Sequence, residues 1–296
     1  MSYTFVAVKI NRLYGMYTLN CKGKLLVIDK PLVMGIINIT PDSFYQGHLD
    51  KNIDEIIKLA GEMIANGADI LDIGGQSTRP RSERISANEE LERVMPVIEA
   101  IHHHYNDAII SIDTYHSKVA KETVAAGASI VNDISAGNMD EQMIATVAKL
   151  NVPYICMHMQ GTPETMQQHP HYENVIKEVL DFFIYKIDEC KKAGIKDIII
   201  DPGFGFGKTI QHNFELLRNL NVFSILQKPI LAGLSRKSFL YKTAGTTADN
   251  ALNSTISANT IALMNGASIL RVHDVKETKE IVSLYDVYKK APGKIT

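Results

Sequence analysis

A short phrase of apolar and polar positions returns along the chain. Asn66-Gly67-Ala68-Asp69-Ile70-Leu71-Asp72 comes back as Ala126-Gly127-Ala128-Ser129-Ile130-Val131-Asn132, as Ala193-Gly194-Ile195-Lys196-Asp197-Ile198-Ile199-Ile200-Asp201, and as Asn265-Gly266-Ala267-Ser268-Ile269-Leu270-Arg271. Each copy holds a glycine where a helix would end, then an apolar run, then one polar residue. Glycine at that place supplies a left-handed helix cap. An unbroken apolar run of this length reads as a strand buried on both faces.

The copies lie about 60–70 residues apart, twice the length of one strand–helix unit, so further units are expected between them. Strand-like runs begin near Val33, Asp69, Ile109, Ser129, Pro153, Asp197, Pro229 and Ser268. Amphipathic helical patterns cover Ile53–Asn66, Ala87–His104, Ser117–Ala126, Met139–Leu150, Glu173–Ala193, Asn213–Leu220, Asp249–Asn265 and Val275–Tyr288. This alternation predicts an α/β chain folded as a (β/α)8 TIM barrel. A doubly wound open sheet competes, but it usually has fewer strands and a phosphate-binding glycine turn after the first. Tyr17–Leu32 reads as a short N-terminal β-hairpin turning at Lys22-Gly23-Lys24, placed to cap the barrel bottom. Residues 1–16 are set apart as an N-terminal extension, and 17–296 read as a single domain.

Composition narrows the partners. The 296 residues are 45% hydrophobic, enough for a large core, and 31 Lys+Arg against 33 Asp+Glu leave a net charge of −2. Nucleic acid and anionic membranes select strongly basic faces, so neither is expected. No apolar run reaches the roughly 18 residues of a membrane helix. The start of the chain lacks the ordered regions of a signal peptide. Cys21, Cys156 and Cys190 share no short spacing, which suits a reducing compartment. A cytoplasmic protein is expected.

The polar residues at or just past the strand ends are Asn38, Asp72, Asp113, Asn132, His158, Asp201, Lys237 and Arg271. A barrel gathers that end of its strands into one pocket. The set contains neither a two-His-one-carboxylate metal site nor a Ser-His-Asp nucleophile. The Gly-rich loop from Asp201 to Thr209 resembles a phosphate loop, yet a Walker sequence needs glycine where Pro202 stands, and a dinucleotide fingerprint needs one at Lys208. It reads instead as a flexible barrel loop that approaches a ligand. His102-His103-His104 falls at a helix end, where imidazoles suit the helix dipole.

Taken together these motifs resemble the dihydropteroate synthase family. Met34-Gly35-Ile36-Ile37-Asn38-Ile39-Thr40-Pro41-Asp42-Ser43-Phe44 and Asp72-Ile73-Gly74-Gly75-Gln76-Ser77-Thr78-Arg79-Pro80 are similar to its two signatures. Ser111–Thr114, Val131–Ile134, Met157–Gly161, Asp201–Lys208, Ser235–Ser238 and Arg271–Asp274 follow in the family's order. The resemblance implies a pterin-binding barrel over 17–296, a homodimer, and a sulfonamide target. It implies a transferase that joins 6-hydroxymethyl-7,8-dihydropterin pyrophosphate to 4-aminobenzoate with Mg2+, forming dihydropteroate and pyrophosphate.

It also implies roles. Asp113, Asn132, Met157, Asp201, Lys237 and Arg271 are expected to hold the pterin, with Asp113, Lys237 and Arg271 counted as catalytic. Thr78, Arg271 and His273 are expected at the pyrophosphate, and Asn38 at the metal. Phe44, Pro80 and Ser238 are expected around the aminobenzoate, with Arg79 tying the closed loops. The reaction is expected to be dissociative, through a pterin methylene cation, which needs no protein nucleophile. The first loop departs from the family: Tyr45-Gln46-Gly47-His48 stands where Ser-Asp-Gly-Gly is common. Gln76 replaces a frequent Glu, and Arg81 a usual Gly. Two other readings stay open, a methyltransferase that binds methyltetrahydrofolate and a non-catalytic pterin-binding paralogue. The Ser-Thr-Arg-Pro and Ser-Arg-Lys-Ser elements favour the synthase over the methyltransferase.

Overall fold

The computed structural model describes residues 16–39, 49–76, 84–166, 168 and 170–292. Two antiparallel strands come first, β1 (Tyr17–Cys21) and β2 (Lys24–Ile28). Lys22 and Gly23 turn between them with φ of 52° and 88°. Positive φ at both central residues is what a two-residue hairpin turn of this hand requires.

Eight parallel strands follow: β3 (Leu32–Asn38), β4 (Ile70–Gly74), β5 (Ile110–Asp113), β6 (Ile130–Asp133), β7 (Tyr154–Met157), β8 (Ile198–Asp201), β9 (Leu231–Ala232) and β10 (Ile269–Val272). They stand in the order β8-β7-β6-β5-β4-β3-β10-β9. The ring is nearly closed between β9 and β8, where Ile200 bridges Ile230 and its N–H donates to the Pro229 carbonyl at 3.0 Å. This is the (β/α)8 barrel that the alternation predicts. Gly67, Gly127, Gly194 and Gly266 of the recurring phrase all have positive φ, as a left-handed helix end demands.

The surrounding helices are α1 (Leu49–Ala65), α2 (Ala87–His104), α3 (Ser117–Ala126), α4 (Met143–Leu150), α5 (Val175–Ala193), α6 (Ile210–Arg218), α7 (Ser238–Thr243), α8 (Leu252–Met264) and α9 (Val275–Lys290). Several bounds depart from the sequence expectation: the helix expected from Ile53 begins at Leu49, and that expected from Met139 begins only at Met143. The helix expected over Asn213–Leu220 ends at Arg218 and passes into a 3-10 turn at Leu220–Leu226. The short α7 has no counterpart among the expected helices; six residues are too few to show a period.

Strand alternation divides the core in two. Val33, Ile73, Ile112, Val131, Cys156, Ile200, Leu270 and Val272 face outward into the layer under the helices. Met34, Ile70, Ile130, Ile155, Ile199, Leu231 and Ile269 face the barrel interior. Leu19, Cys21 and Ile28 of the hairpin pack onto that interior set and close the barrel bottom. Two positions further along, on the same inward side, stand Asp72, Asn132, Met157, Asp201, Gly233 and Arg271, with the apolar Ile36 at that level on β3. Asp113 follows Ser111 in the same way. A polar storey therefore sits on an apolar one, at the end where the strands point.

Candidate active site

The upper storey opens as a cleft with about 330 Å3 of empty space, part of it open to solvent, lined by Asp113, Asn132, Ile134, Met157, Asp201, Phe204, Phe206, Gly233, Lys237 and Arg271. The strand register sets several of these side by side: Asp113 is level with Asn132, and Met157 with Asp201. Strands β5, β6, β7, β8 and β10, with the loops after β8 and β9, thus each contribute to one space.

Arg271 is the electrostatic centre. Its Nε donates to Asp72 Oδ2 and its guanidinium terminus to Asp113 Oδ2, both at 2.6 Å. Asn132 Nδ2 donates to the same Asp72 carboxylate at 3.2 Å. Two carboxylates raise the Arg271 pKa further against the effect of its burial, so it stays cationic at any working pH. Burial pushes Asp113 above the usual carboxylate range; Arg271 opposes this, and Asp72 and Asp133 reinforce it. The two ion pairs hold the planar guanidinium at the cavity wall rather than leaving it free to swing.

Asp201 is pushed up chiefly by burial, while the Gly203 N–H, which donates to its Oδ1 at 2.8 Å, and nearby cations pull the other way. A Cβ on Gly233 would come within 3.8 Å of Asp201 Oδ2, so the missing side chain leaves room beside that oxygen. Lys237 caps α7 and lays its ammonium 4.2 Å above the Phe206 ring centre. Burial, then repulsion from Arg271, brings Lys237 down to about 8.

Residues 34–273 match the family described as pterin binding enzyme. The dihydropteroate synthase of Haemophilus influenzae is 42% identical over 269 residues, covering 90% of this chain and 97% of that one. A dihydropteroate synthase of Xanthomonas albilineans solved with 4-aminobenzoic acid superposes with a TM-score of 0.87 at 37% identity, covering 94% of this chain and all 100% of the other. A Yersinia pestis dihydropteroate synthase in complex with a sulfonamide drug gives 0.87 at 39% identity, over 93% and 100%. The chain belongs to the dihydropteroate synthase family.

Six of the residues that the family resemblance marks, Asp113, Asn132, Met157, Asp201, Lys237 and Arg271, line the one cavity. Asn38, His273 and Ser238 are not among its lining. Asn38 is exposed at the end of β3, its Oδ1 3.7 Å and Asp113 Oδ2 3.7 Å from the place of a Cβ on Gly74. His273 follows β10 and is braced by Ser235, whose Oγ accepts from the His273 N–H at 3.2 Å and meets its Nδ1 at 3.0 Å. Burial, then the cations Arg271 and Arg236, lowers His273 to about 4, so its imidazole is neutral near pH 7. Ser238 opens α7 and is exposed. Phe44, Thr78, Arg79 and Pro80 lie outside the described residues, as do Tyr45, Gln46, Gly47, His48 and Arg81. Gln76 is described: its Oε1 accepts from Tyr115 O–H at 3.1 Å and from the Ile85 N–H at 3.0 Å, two bonds that a glutamate oxygen would also accept.

The family resemblance assigns no role to three further groups. Phe204 and Phe206 form the aromatic wall, signalled only by their alternation with glycine in the loop after β8. Asp72, fully buried, holds Arg271 and Asn132 from 199 and 60 residues away. Lys208 ends the Gly-rich loop, which is tied down through it rather than free.

Proposed function

We propose that the barrel mouth binds 6-hydroxymethyl-7,8-dihydropterin pyrophosphate and passes its methylene carbon to the amine of 4-aminobenzoate, giving 7,8-dihydropteroate and pyrophosphate. The activity is that of a dihydropteroate synthase, a transferase. One observation carries the pterin reading: Asp113, Asn132, Met157, Asp201, Lys237 and Arg271 converge on a single cavity.

A dihydropterin offers a 2-amino group and N3–H as adjacent donors, and O4 as an acceptor. The Asp201 carboxylate receives the two donors. Asp113 and Asn132 meet the remaining ring nitrogens, and Lys237 donates to O4 and N5. The clamped guanidinium of Arg271 lies along the ring, with Met157 beside it. An analogue that leaves one of these buried groups unpaired loses about 1–3 kcal/mol per group.

The C–O bond to pyrophosphate breaks first, and the charge that develops on the leaving oxygens meets Arg271, neutral His273 as an N–H donor, and Thr78. The methylene cation spreads into the pterin ring until the aniline nitrogen forms the new C–N bond and releases a proton. Phe44 and Pro80 flank the benzoate, Ser238 binds its carboxylate, and Arg79 holds the loops shut so that water does not capture the cation.

Among the described residues no three His, Cys, Asp or Glu side chains group as a metal cage. Mg2+ keeps several waters and is commonly held by one or two protein oxygens plus substrate phosphates. The exposed amide oxygen of Asn38 fits that demand, and the ion would neutralise charge on the departing pyrophosphate.

We also propose a homodimer in the cytoplasm. Ile261 and Met264 on α8, with Leu284, Val287 and Tyr288 on the neighbouring α9, are exposed apolar side chains that support a paired face. The three cysteines are free and buried, and no described helix is long and apolar enough to cross a membrane. Sulfonamides, as in the Yersinia pestis complex, would compete with 4-aminobenzoate.

The test is incubation of the full chain with pterin pyrophosphate, 4-aminobenzoate and Mg2+. Pyrophosphate release with dihydropteroate formation is expected. Pterin binding without turnover would replace this reading with a non-catalytic paralogue, and methyl transfer from methyltetrahydrofolate with that of a methyltransferase.

A further inference from the structure

Lys208 has no part in the reaction as described, yet it is almost wholly buried. Its Nζ turns into the fold, donates to the Gly203 and Phe206 carbonyls, both at 3.0 Å, and lies 2.9 Å from His158 Nδ1. The His158 carbonyl is more distant at 3.4 Å. Burial pulls Lys208 down to about 7 while Asp201 holds it up; as the ammonium it has one N–H for each carbonyl and a third for His158. An ammonium cannot accept, so His158 Nδ1 is the acceptor and its proton sits on Nε2. Burial, then the Lys208 charge, keeps His158 well below its ordinary pKa, in agreement with a neutral ring.

The contact lies where two glycines let the loop press against the backbone that follows β7. A Cβ on Gly203 would stand 1.9 Å from the His158 carbonyl oxygen, and one on Gly207 would stand 2.4 Å from that of Gln160. The His158 N–H donates to the Asp201 carbonyl at 2.9 Å, which ties this corner to the end of β8. The other side of the loop forms the cavity wall, with Phe204 and Phe206 among the lining and Lys237 lying over the Phe206 ring.

We propose that Lys208 is a positioning residue for the pterin cavity, pinning the Gly203 and Phe206 carbonyls to His158 and so setting the aromatic wall on which Lys237 rests. The proposal rests on the reading of this cavity as the pterin site. It explains why a loop so like a phosphate loop is not one: the lysine that would meet a phosphate is spent on the protein's own carbonyls.

In the full chain, Lys208→Met and His158→Leu are each expected to raise the KM for pterin pyrophosphate about tenfold, the loss of roughly one charge-assisted hydrogen bond. The kcat and the KM for 4-aminobenzoate should stay within about twofold, since the chemistry and the second substrate are untouched. His158→Asn returns an acceptor oxygen near the place of Nδ1 and is expected to keep the wild-type KM. In 15N spectra of the wild type, His158 should show an unprotonated Nδ1, and Lys208→Met should lose that fixed tautomer. An unchanged pterin KM in folded Lys208→Met overturns the proposal. So does a fall of kcat and melting point together with a rise of both KM values, a His158→Asn enzyme as impaired as His158→Leu, or a protonated Nδ1 in the wild type. A wild-type chain that neither binds pterin nor turns over would instead refute the pterin reading itself, and the 15N tautomer would still judge the Lys208–His158 contact.

Discussion

Asp201→Asn separates binding from stability in one substitution. In the free protein the carboxylate is buried, with one oxygen on the Gly203 N–H and the other toward the space left by Gly233. An asparagine keeps its carbonyl oxygen on Gly203 and puts an NH2 group at the second position. Where the pterin presents two donors, the site would then meet them with a donor. One charge-assisted bond is lost outright and the other becomes neutral, a cost of about 3 kcal/mol, or roughly 150-fold in pterin Kd. Stability should move the other way. The folded-state pKa of Asp201 is raised, so ionising it costs the folded state free energy at every pH above its unfolded value. An uncharged amide removes that cost, and the melting point at pH 7 should rise. Calorimetric titration with pterin pyrophosphate reads the first effect and thermal unfolding without ligand the second. A Kd within about threefold of wild type, or a melting point that falls, would refute the reasoning.

Lys237, brought down to about 8, should lose its proton as pH rises through that value. The kcat/KM for pterin pyrophosphate is expected to fall above pH 8 with a one-proton slope, and Lys237→Met should abolish that limb along with most of the activity. Glu90 lies buried on α2; its Oε2 accepts from Thr114 Oγ1 at 3.0 Å, Oε1 has no partner among the described residues, and burial above all pushes it up to about 8. Its raised pKa supplies stability that is complete below about pH 4 and lost as pH climbs through 8, so Glu90→Gln should flatten that part of the stability–pH curve measured by urea unfolding. Gly203→Ala places a methyl against the His158 carbonyl at a φ of 70° and is expected to cost more than about 2 kcal/mol in denaturant unfolding; a neutral result would mean the corner is not closely packed.

Much of the architecture could be read along the chain because it follows local rules. The glycine of each recurring phrase caps a helix whatever lies elsewhere, and a two-residue side-chain period puts Asp201 on the same side as Ile199, and Asn132 on the same side as Ile130. That period is why Asp113, Asn132, Met157, Asp201 and Arg271 share one cavity, which Lys237 joins from the loop after β9. Helix ends were less legible where the chain tightens: the 3-10 turn at Leu220–Leu226 and the six-residue α7 carry no long pattern to detect.

By itself, then, the sequence determined the strand–helix rhythm, the hairpin that plugs the bottom, and the polar storey at the strand ends, since each depends on residues a few places apart. Only the tertiary structure decided how those polar groups are spent. The clamp of Asp72 and Asp113 on Arg271 joins positions 199 and 158 apart, and the inward turn of Lys208 onto His158 spans 50. Such pairings arise from the tilt and closure of the ring and the approach of its loops, which bring charges within hydrogen-bonding range irrespective of their separation along the chain.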